Sequence, residues 1–459
     1  MSGRMPADGT RRLAADPVGP LFLRLAIPAV LGQLAVLINN VVDRMWVGHI
    51  PHDGMLSLGA VGLSLPIHHV LLAFVLMLAA GMTPHVSILL GQGDRERARR
   101  ASGSCFGLGV LVSLVSSAVL LVFADGLLLS FGAGADSLPF ARSYLRTLAW
   151  GMPFSNLLLM LTMWLNAQGY VTDGVRLNLL NVGVNAVMDP VLIYLAGWGV
   201  TGAAIATNLG AVVALVCGVR FVRRESRLVR FGAHDLLPRW GLCRKPLALG
   251  LSTLLNVALE SIALLVFNAA IQRFGGDLAV SAMSLFGIPL LVLMNLCLGL
   301  SNGAQPIVSY NYGAGRPERV AAANRNLILA SFACSFVLWA VMMAAPAQVW
   351  RCFTGDAGLV VYAAERTRLF FAVALFGGIQ YAHIYIIKFL GSVKMSLFLG
   401  VLKRLVLLIP LILVLPRVLG GDAVSAVLLA SPMSEGAAFL VTAVCYFLIM
   451  RTVWKKGAR

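Results

Sequence analysis

Long apolar runs, broken only by short polar turns, follow one another from Leu21 to Met450. A helix needs about 20 apolar residues to cross about 30 Å of hydrocarbon, so a chain of this length has room for about a dozen crossings. Only 12% of the 459 residues are charged and 59% are hydrophobic. Soluble domains carry roughly twice that share of charge. Such a chain cannot cover itself with polar surface in water, so the bilayer must be its solvent. Weak alternation and abundant Gly, Ala and Leu favour helices over a transmembrane barrel.

The chain also repeats itself. Gly81–Arg97 reads GMTPHVSILLGQGDRER and Gly303–Arg319 reads GAQPIVSYNYGAGRPER. Gly81/Gly303, Pro84/Pro306, Val86/Val308, Ser87/Ser309, Gly91/Gly313, Gly93/Gly315, Glu96/Glu318 and Arg97/Arg319 agree without a gap, at an offset of 222 residues (303 less 81). Each copy ends an apolar run, passes a Pro, stops at Gly-x-Gly and enters a basic turn. The expected fold is therefore all-α and polytopic: twelve transmembrane helices in two six-helix lobes related by pseudo-two-fold symmetry.

In chain order the expected helices are 21–47, 58–90, 103–123, 138–165, 175–195 and 200–222. They are followed by 246–271, 278–312, 326–345, 368–390, 396–415 and 423–450. The expected domains are an N-lobe over 1–222, a basic linker over 223–245 and a C-lobe over 246–459. The net charge of +17 does not point to nucleic acid, because the bases sit in short turns between apolar runs. Clusters at 4–24, 95–100, 223–245, 316–325 and 451–459 fall on one side of the membrane. The positive-inside rule makes that side cytoplasmic, with both termini inside. Residues 1–19 lack a signal-peptide core and read as a cytoplasmic tail. The seven cysteines form no Cys-x-x-Cys pair, so neither a disulfide framework nor a zinc site is expected.

Ionisable residues at bilayer depth are costly and mark function. Asp43 shares a helical face with Gln33 and Asn40; the competing reading pairs it with Arg44 at the interface. Asn178, Asn181, Asn185 and Asp189 form a polar stripe ahead of Pro190, whose missing N–H leaves the carbonyl of Ala186 unpaired. Hard oxygens of this kind suit a small cation or a proton relay, and Thr207 and Asn208 stand ready to add ligands. Interhelical hydrogen bonding is the alternative. Ser252, Asn256, Glu260 and Asn268 form another stripe, expected to line a cavity. Glu435 and Lys388 are further ionisable residues, Lys388 being expected to snorkel to the cytoplasmic surface. His68, His69, His85 and His383 are read as packing or interfacial residues. Pro28 lies 15 residues (43 less 28) before Asp43, about four turns, and is a candidate hinge. Walker, His-Glu-x-x-His and Gly-x-Ser-x-Gly motifs are absent, which argues against an on-chain ATPase or a hydrolase.

These strings resemble a known family. Ala-Ile-Pro-Ala-Val-Leu-Gly-Gln leading into Val-Val-Asp-Arg-Met-Trp-Val-Gly resembles the first helix of the multidrug and toxic compound extrusion (MATE) family. Gln305-Pro306 through Gly315 resembles the end of helix 8 in its MepA-like subgroup, and Asn185-Ala-Val-Met-Asp189-Pro190 resembles the family's helix 5 motif. The resemblance covers nearly the whole chain. It implies an inner-membrane antiporter that expels cationic amphipathic drugs against protons or sodium. It assigns the coupling ion to Asp43, Asn185, Asp189 and Thr207, which would ligate Na+ if sodium is the coupling ion. It matches Glu260 to a helix 7 glutamate used by one branch. The helix 10 aspartate of that branch is missing; Gln380 lies in that region, which leaves a second-lobe cation site in doubt.

The expected substrate cavity is lined by Gln33, Asn40, Asn181, Asn256, Glu260, Gln305 and Gln380, with Met160, Met163, Met283 and Met294 as adaptable wall. No cofactor, nucleic acid or stable partner chain is expected beyond drugs, the coupling ion and lipid, and the protein is read as a monomer. Two alternatives stand beside this reading. A flippase or exporter of lipid-linked or polysaccharide precursors would need several arginines in its cavity, and intramembrane arginine reads as sparse. A membrane-embedded enzyme would need a clustered nucleophile or acid–base pair, which is not seen.

Overall fold

The computed structural model describes residues 9–457 except 52, 132, 226–228 and 420–421. Arg4, Arg227 and Arg459 of the expected basic clusters lie outside the described residues, as do residues 1–8 of the N-terminal tail. The described chain is helical, without strands. In order it forms α1 (Gly9–Ala15), α2 (Val18–Gly48), α3 (Gly54–Gly91), α4 (Arg95–Ser130), α5 (Leu138–Ala167), α6 (Val171–Pro190) and α7 (Gly199–Arg224). Then come α8 (Trp240–Gly313), α9 (Pro317–Ala344), α10 (Pro346–Arg351), α11 (Ala357–Phe370), α12 (Gly377–Phe389), α13 (Val393–Val401), α14 (Ile409–Val418) and α15 (Ala423–Gly457).

Ten helical segments, one of them α13 and α14 joined as Val393–Val418, are long and apolar enough to cross a membrane, and α11 with α12, bent by 61°, makes an eleventh span. The 74-residue α8 is counted once among them but holds Gly276 at φ +63° and ψ −162°. No helix passes through that conformation, so α8 is two spans and the described residues hold twelve. The protein is a multi-pass membrane protein. Helix 10 of the sequence reading is the point of difference: it begins as α11 at Ala357, not at Arg368, and breaks before Gly377.

The described chain divides into two compact units. One comprises Leu31–Gly250 with the segment up to Asp16, and the other comprises Pro17–Val30 with Leu251–Arg459. These bounds differ from lobes at 1–222 and 246–459. The first part of α2 counts with the second unit because Gly303 lets the backbone of Ala26 approach; an added Cβ on Gly303 would lie 2.4 Å from Ala26 Cα. The first part of α8 counts with the first unit for the same reason. A Cβ on Gly81 would lie 1.8 Å from the carbonyl oxygen of Pro246. Small residues bringing backbones together are the usual means of helix association in lipid, where no hydrophobic force drives it. The unit division falls just past Pro28.

The expected linker is a packed strap on the first unit. Arg99 pairs with Asp235 at 2.9 Å, Arg239 N–H donates to Ser104 Oγ at 2.7 Å, and Val229 N–H donates to Gln168 Oε1 at 2.8 Å. Phe231 sits with its ring centroid 4.8 Å from Phe106 and 5.5 Å from Trp164. The second unit is built on an aromatic core of Phe267, Phe286, Trp350, Phe370 and Phe371.

Candidate functional site

In the first unit α6 delivers the polar stripe. Asp189 is 1% exposed and Asn185 is 4% exposed, inside an otherwise apolar helix. After Pro190 the chain widens into a π-helical turn, Val191–Leu195, closed by Ala196 N–H on Val191 O at 2.9 Å. The carboxyl groups of Asp43 and Asp189 lie within hydrogen-bonding contact of one another. Asn185 Nδ2 donates to Asp189 Oδ1 at 3.2 Å and to Thr207 Oγ1 at 3.4 Å, while its own Oδ1 accepts from Asn39 Nδ2 at 2.8 Å. Thr207 hydroxyl in turn donates to Ala203 O at 3.1 Å.

Two buried oxygens, Asp43 Oδ1 and Asp189 Oδ2, have no hydrogen-bond partner among the described residues. Two carboxylates cannot rest against each other in a dry site without a positive charge between them. A shared proton or a bound monovalent cation supplies it. Asp43, Asp189, Asn185 and Thr207 thus form one cluster of hard oxygen donors.

The neighbouring residues divide. Asn39, which the sequence reading passed over for Asn40, makes the contact to Asn185. Its spacing of four to Asp43 was the available signal, since positions four apart share a face as closely as positions three apart. Asn40 is exposed and Gln33 half-buried, and neither has a polar partner among the described residues. Asn181 packs against α7, where Gly210 makes room for its carbonyl. Asn208, weighed as a ligand, is turned away: its amide donates to Thr147 O on α5 at 2.7 Å.

The second unit has a cavity of about 450 Å³ whose lining includes Glu260, Met283, Met294, Lys403, Arg404 and Glu435. Lys403 and Arg404 lie on a π-helical segment, Leu402–Leu408, between α13 and α14. Arg404 Nη2 pairs with Glu260 at 3.0 Å and its Nη1 donates to Asn256 Oδ1 at 2.9 Å. Lys403 Nζ pairs with Glu435 at 2.5 Å and donates to Gln380 Oε1 at 3.3 Å. Asn256, Glu260 and Gln380 are therefore joined through two bases that the sequence reading left out. Arg404 corrects the expectation that arginine is sparse at this depth, and adjacent charges deep in hydrocarbon, costly without partners, are the signal in the sequence that points to both bases.

Gln305 stands apart from this cavity, 3% exposed, with its amide donating to Ser309 Oγ at 3.3 Å. Lys388 does not snorkel. It is buried and donates to Thr253 Oγ1 at 2.5 Å, because the start of α8 offers a hydroxyl where the surface was expected. Met160 is fully buried in the first unit against α4, so it is core and not cavity wall. His383 is stacked on Tyr446 at 4.3 Å, a packing role.

The MatE family model matches this chain twice, over residues 28–191 and 253–415. The chain is 24% identical over 437 residues to the multidrug export protein MepA of Staphylococcus haemolyticus (strain JCSC1435), covering 94% of this chain and 92% of that one. It is 23% identical to MepA of Staphylococcus aureus (strain NCTC 8325 / PS 47), covering 93% and 94%. Among solved structures it superposes on an outward-facing multidrug resistance MATE transporter with a TM-score of 0.88 at 22% identity, covering 98% of this chain and 100% of that one. On a MATE transporter in its bent conformation the TM-score is 0.90 at 22% identity, covering 99% and 100%. With the duplicated match, the twelve spans and near-complete coverage, the chain belongs to the MatE family of membrane transporters.

Proposed function

We propose that this protein is a secondary active antiporter that exports cationic amphipathic compounds in exchange for protons or sodium. The MepA relatives carry the name of multidrug exporters along nearly their whole length, and the family's members are transporters and not enzymes. The single observation that carries the coupling is the contact between Asp43 and Asp189, with buried carboxyl oxygens left unpartnered.

The mechanism follows from charge. With one proton or one Na+ between them, the pair carries a single negative charge and holds an organic cation weakly. When the ion leaves, the two negative charges call for a cation. An ion that binds one access state better than the other shifts the population toward that state, so binding on the outside and release on the inside drive the cycle. Sodium would be held by Asp43, Asp189, Asn185 and Thr207, hard oxygen donors suited to it. Asn185 Oδ1 keeps a second lone pair beside the one given to Asn39. Gln33, Asn40 and Asn181 are proposed for the substrate path of this unit, and Pro28 as the hinge in α2. From its basic turns we place the protein in a bacterial inner membrane with both termini cytoplasmic, and we propose that it acts as a monomer.

A carrier of pyrophosphate-linked precursors is the second reading, and Lys403 and Arg404 are the observation in its favour. Against it, the cavity balances those two bases with Glu260 and Glu435 and offers a multiply charged anion no surplus. The test is dye efflux from proteoliposomes with proton and sodium gradients imposed separately. Asp43→Asn should abolish gradient-driven ethidium export by either ion; wild-type rates in that variant would remove the mechanism.

A further inference from the structure

The second unit's cavity holds both signs of charge, and the two signs are not held alike. Arg404 is 15% exposed and is fixed at two points, Glu260 and Asn256. Lys403 is 18% exposed, pairs with Glu435, donates to Gln380 and lies 5.7 Å from the centroid of the Tyr381 ring. Glu260 is 48% exposed, and among the described residues Arg404 is its one hydrogen-bond or ion-pair partner. The base is anchored and the acid is displaceable.

That asymmetry decides which ligand can enter by exchange. If an organic cation took Glu260, Arg404 would be left in a largely dry site with only an amide, and an unpaired buried charge is strongly unfavourable. If an organic carboxylate took Arg404, Glu260 would turn toward solvent, where it already stands half-exposed. Arg404 would keep a carboxylate partner, and a guanidinium accepts one in a two-point, directional geometry. Besides the paired Lys403 and Glu435, much of the wall is apolar, with Phe267, Met283, Met294 and Phe371 among the lining residues. Its volume of about 450 Å³ is that of a small-ligand pocket.

The geometry points to a carboxylate-binding site centred on Arg404: the cavity takes an amphipathic monocarboxylate, whose acid group replaces Glu260 while its apolar body lies against the aromatic and methionine wall. This goes beyond the cationic cargo proposed above and does not depend on transport.

The test is equilibrium binding of the fluorescent probe dansylaminoundecanoic acid, and of its methyl ester, to the purified full chain in nanodiscs, with empty nanodiscs subtracted. The acid is expected to bind at least about tenfold more tightly than the ester, the ester having no charge for the guanidinium. Glu260→Gln removes the competing carboxylate and should tighten acid binding about threefold or more, by population-shift arithmetic. Should that variant not fold, the double variant Glu260→Gln with Arg404→Gln leaves no lone charge and should stay monodisperse while losing the acid. Ester binding equal to acid binding, a Glu260→Gln variant that binds the acid no more tightly, or a double variant that keeps it would each overturn the site. Asp43→Asn should leave acid binding intact, so a failure of ion-coupled efflux is read separately from a failure of this site.

Discussion

The two halves keep the same backbone devices and differ in their charges. Gly93 and Gly315, at φ +81° and +67°, follow the helix ends within the repeated segment and lie in the left-handed region that favours glycine. Gly169 and Gly391, again 222 apart (391 less 169), do the same at φ +85° and +75°. Ser87 donates to Ala167 O at 2.6 Å, and its counterpart Ser309 donates to Phe389 O at 2.9 Å, with both donor and acceptor at the same offset. The chemistry departs from that register. One unit presses two acids together; the other matches each acid with a base. Duplication thus kept the left-handed glycine turns and the close backbone approaches at Gly81 and Gly303, while the charged positions differ between the two units.

The sharpest way to break the comparison is at the shared close approach. Gly81→Val and Gly303→Val should each prevent recovery of monodisperse protein, at a cost of about 3 kcal/mol or more from overpacking against backbone. Size-exclusion profiles of the detergent-extracted variants measure it. One variant tolerated and the other not would show that the two contacts are not equivalent.

A smaller effect should have opposite signs in the two units. Glu435→Gln leaves Lys403 without its counter-charge, although it is only 18% exposed, and should lower stability by about 2 kcal/mol. Asp43→Asn relieves a like-charge contact and should leave stability within about 0.5 kcal/mol of wild type or raise it. Thermal melts of the two purified variants give the comparison, and equal losses would contradict the assignment of like and opposite pairs.

The smallest effect lies outside the membrane spans of the second unit. Ser425 Oγ donates to Asp422 Oδ2 at 2.6 Å, Val424 N–H donates to Oδ1 at 3.0 Å, and Arg366 adds an ion pair at 3.1 Å. Led by the Ser425 hydrogen bond, these hold the Asp422 carboxyl below its ordinary range. A carboxyl depressed in the folded state contributes stability above its unfolded value and loses it as pH falls through the folded one. Asp422→Asn should therefore flatten the acid limb of the stability–pH curve slightly, by about 0.5 kcal/mol at this exposed site. An unchanged acid limb would show that the cap is not felt.

Much was legible in the residues taken alone. Apolar run length set the membrane and the helices, because a backbone in lipid must satisfy its own hydrogen bonds. Ungapped glycines and serines set the duplication. The polar stripe on α6 and the lone acid on α2 were visible as exceptions to an apolar pattern, and the structure brings Asp43, Asn185, Asp189 and Thr207 together. Periodicity names the face of a helix but not what that face meets. That Asn39 rather than Asn40 reaches Asn185, that Lys403 and Arg404 neutralise Glu435 and Glu260, and that Lys388 ends on Thr253 all depend on partners more than a hundred residues away or on another helix. The same holds for residues 229–239, polar enough to read as a loose linker yet clamped onto α4 and α5. Local pattern follows from nearest neighbours along the chain, whereas pairing of charges follows from which helices pack together, and that only the tertiary structure decides.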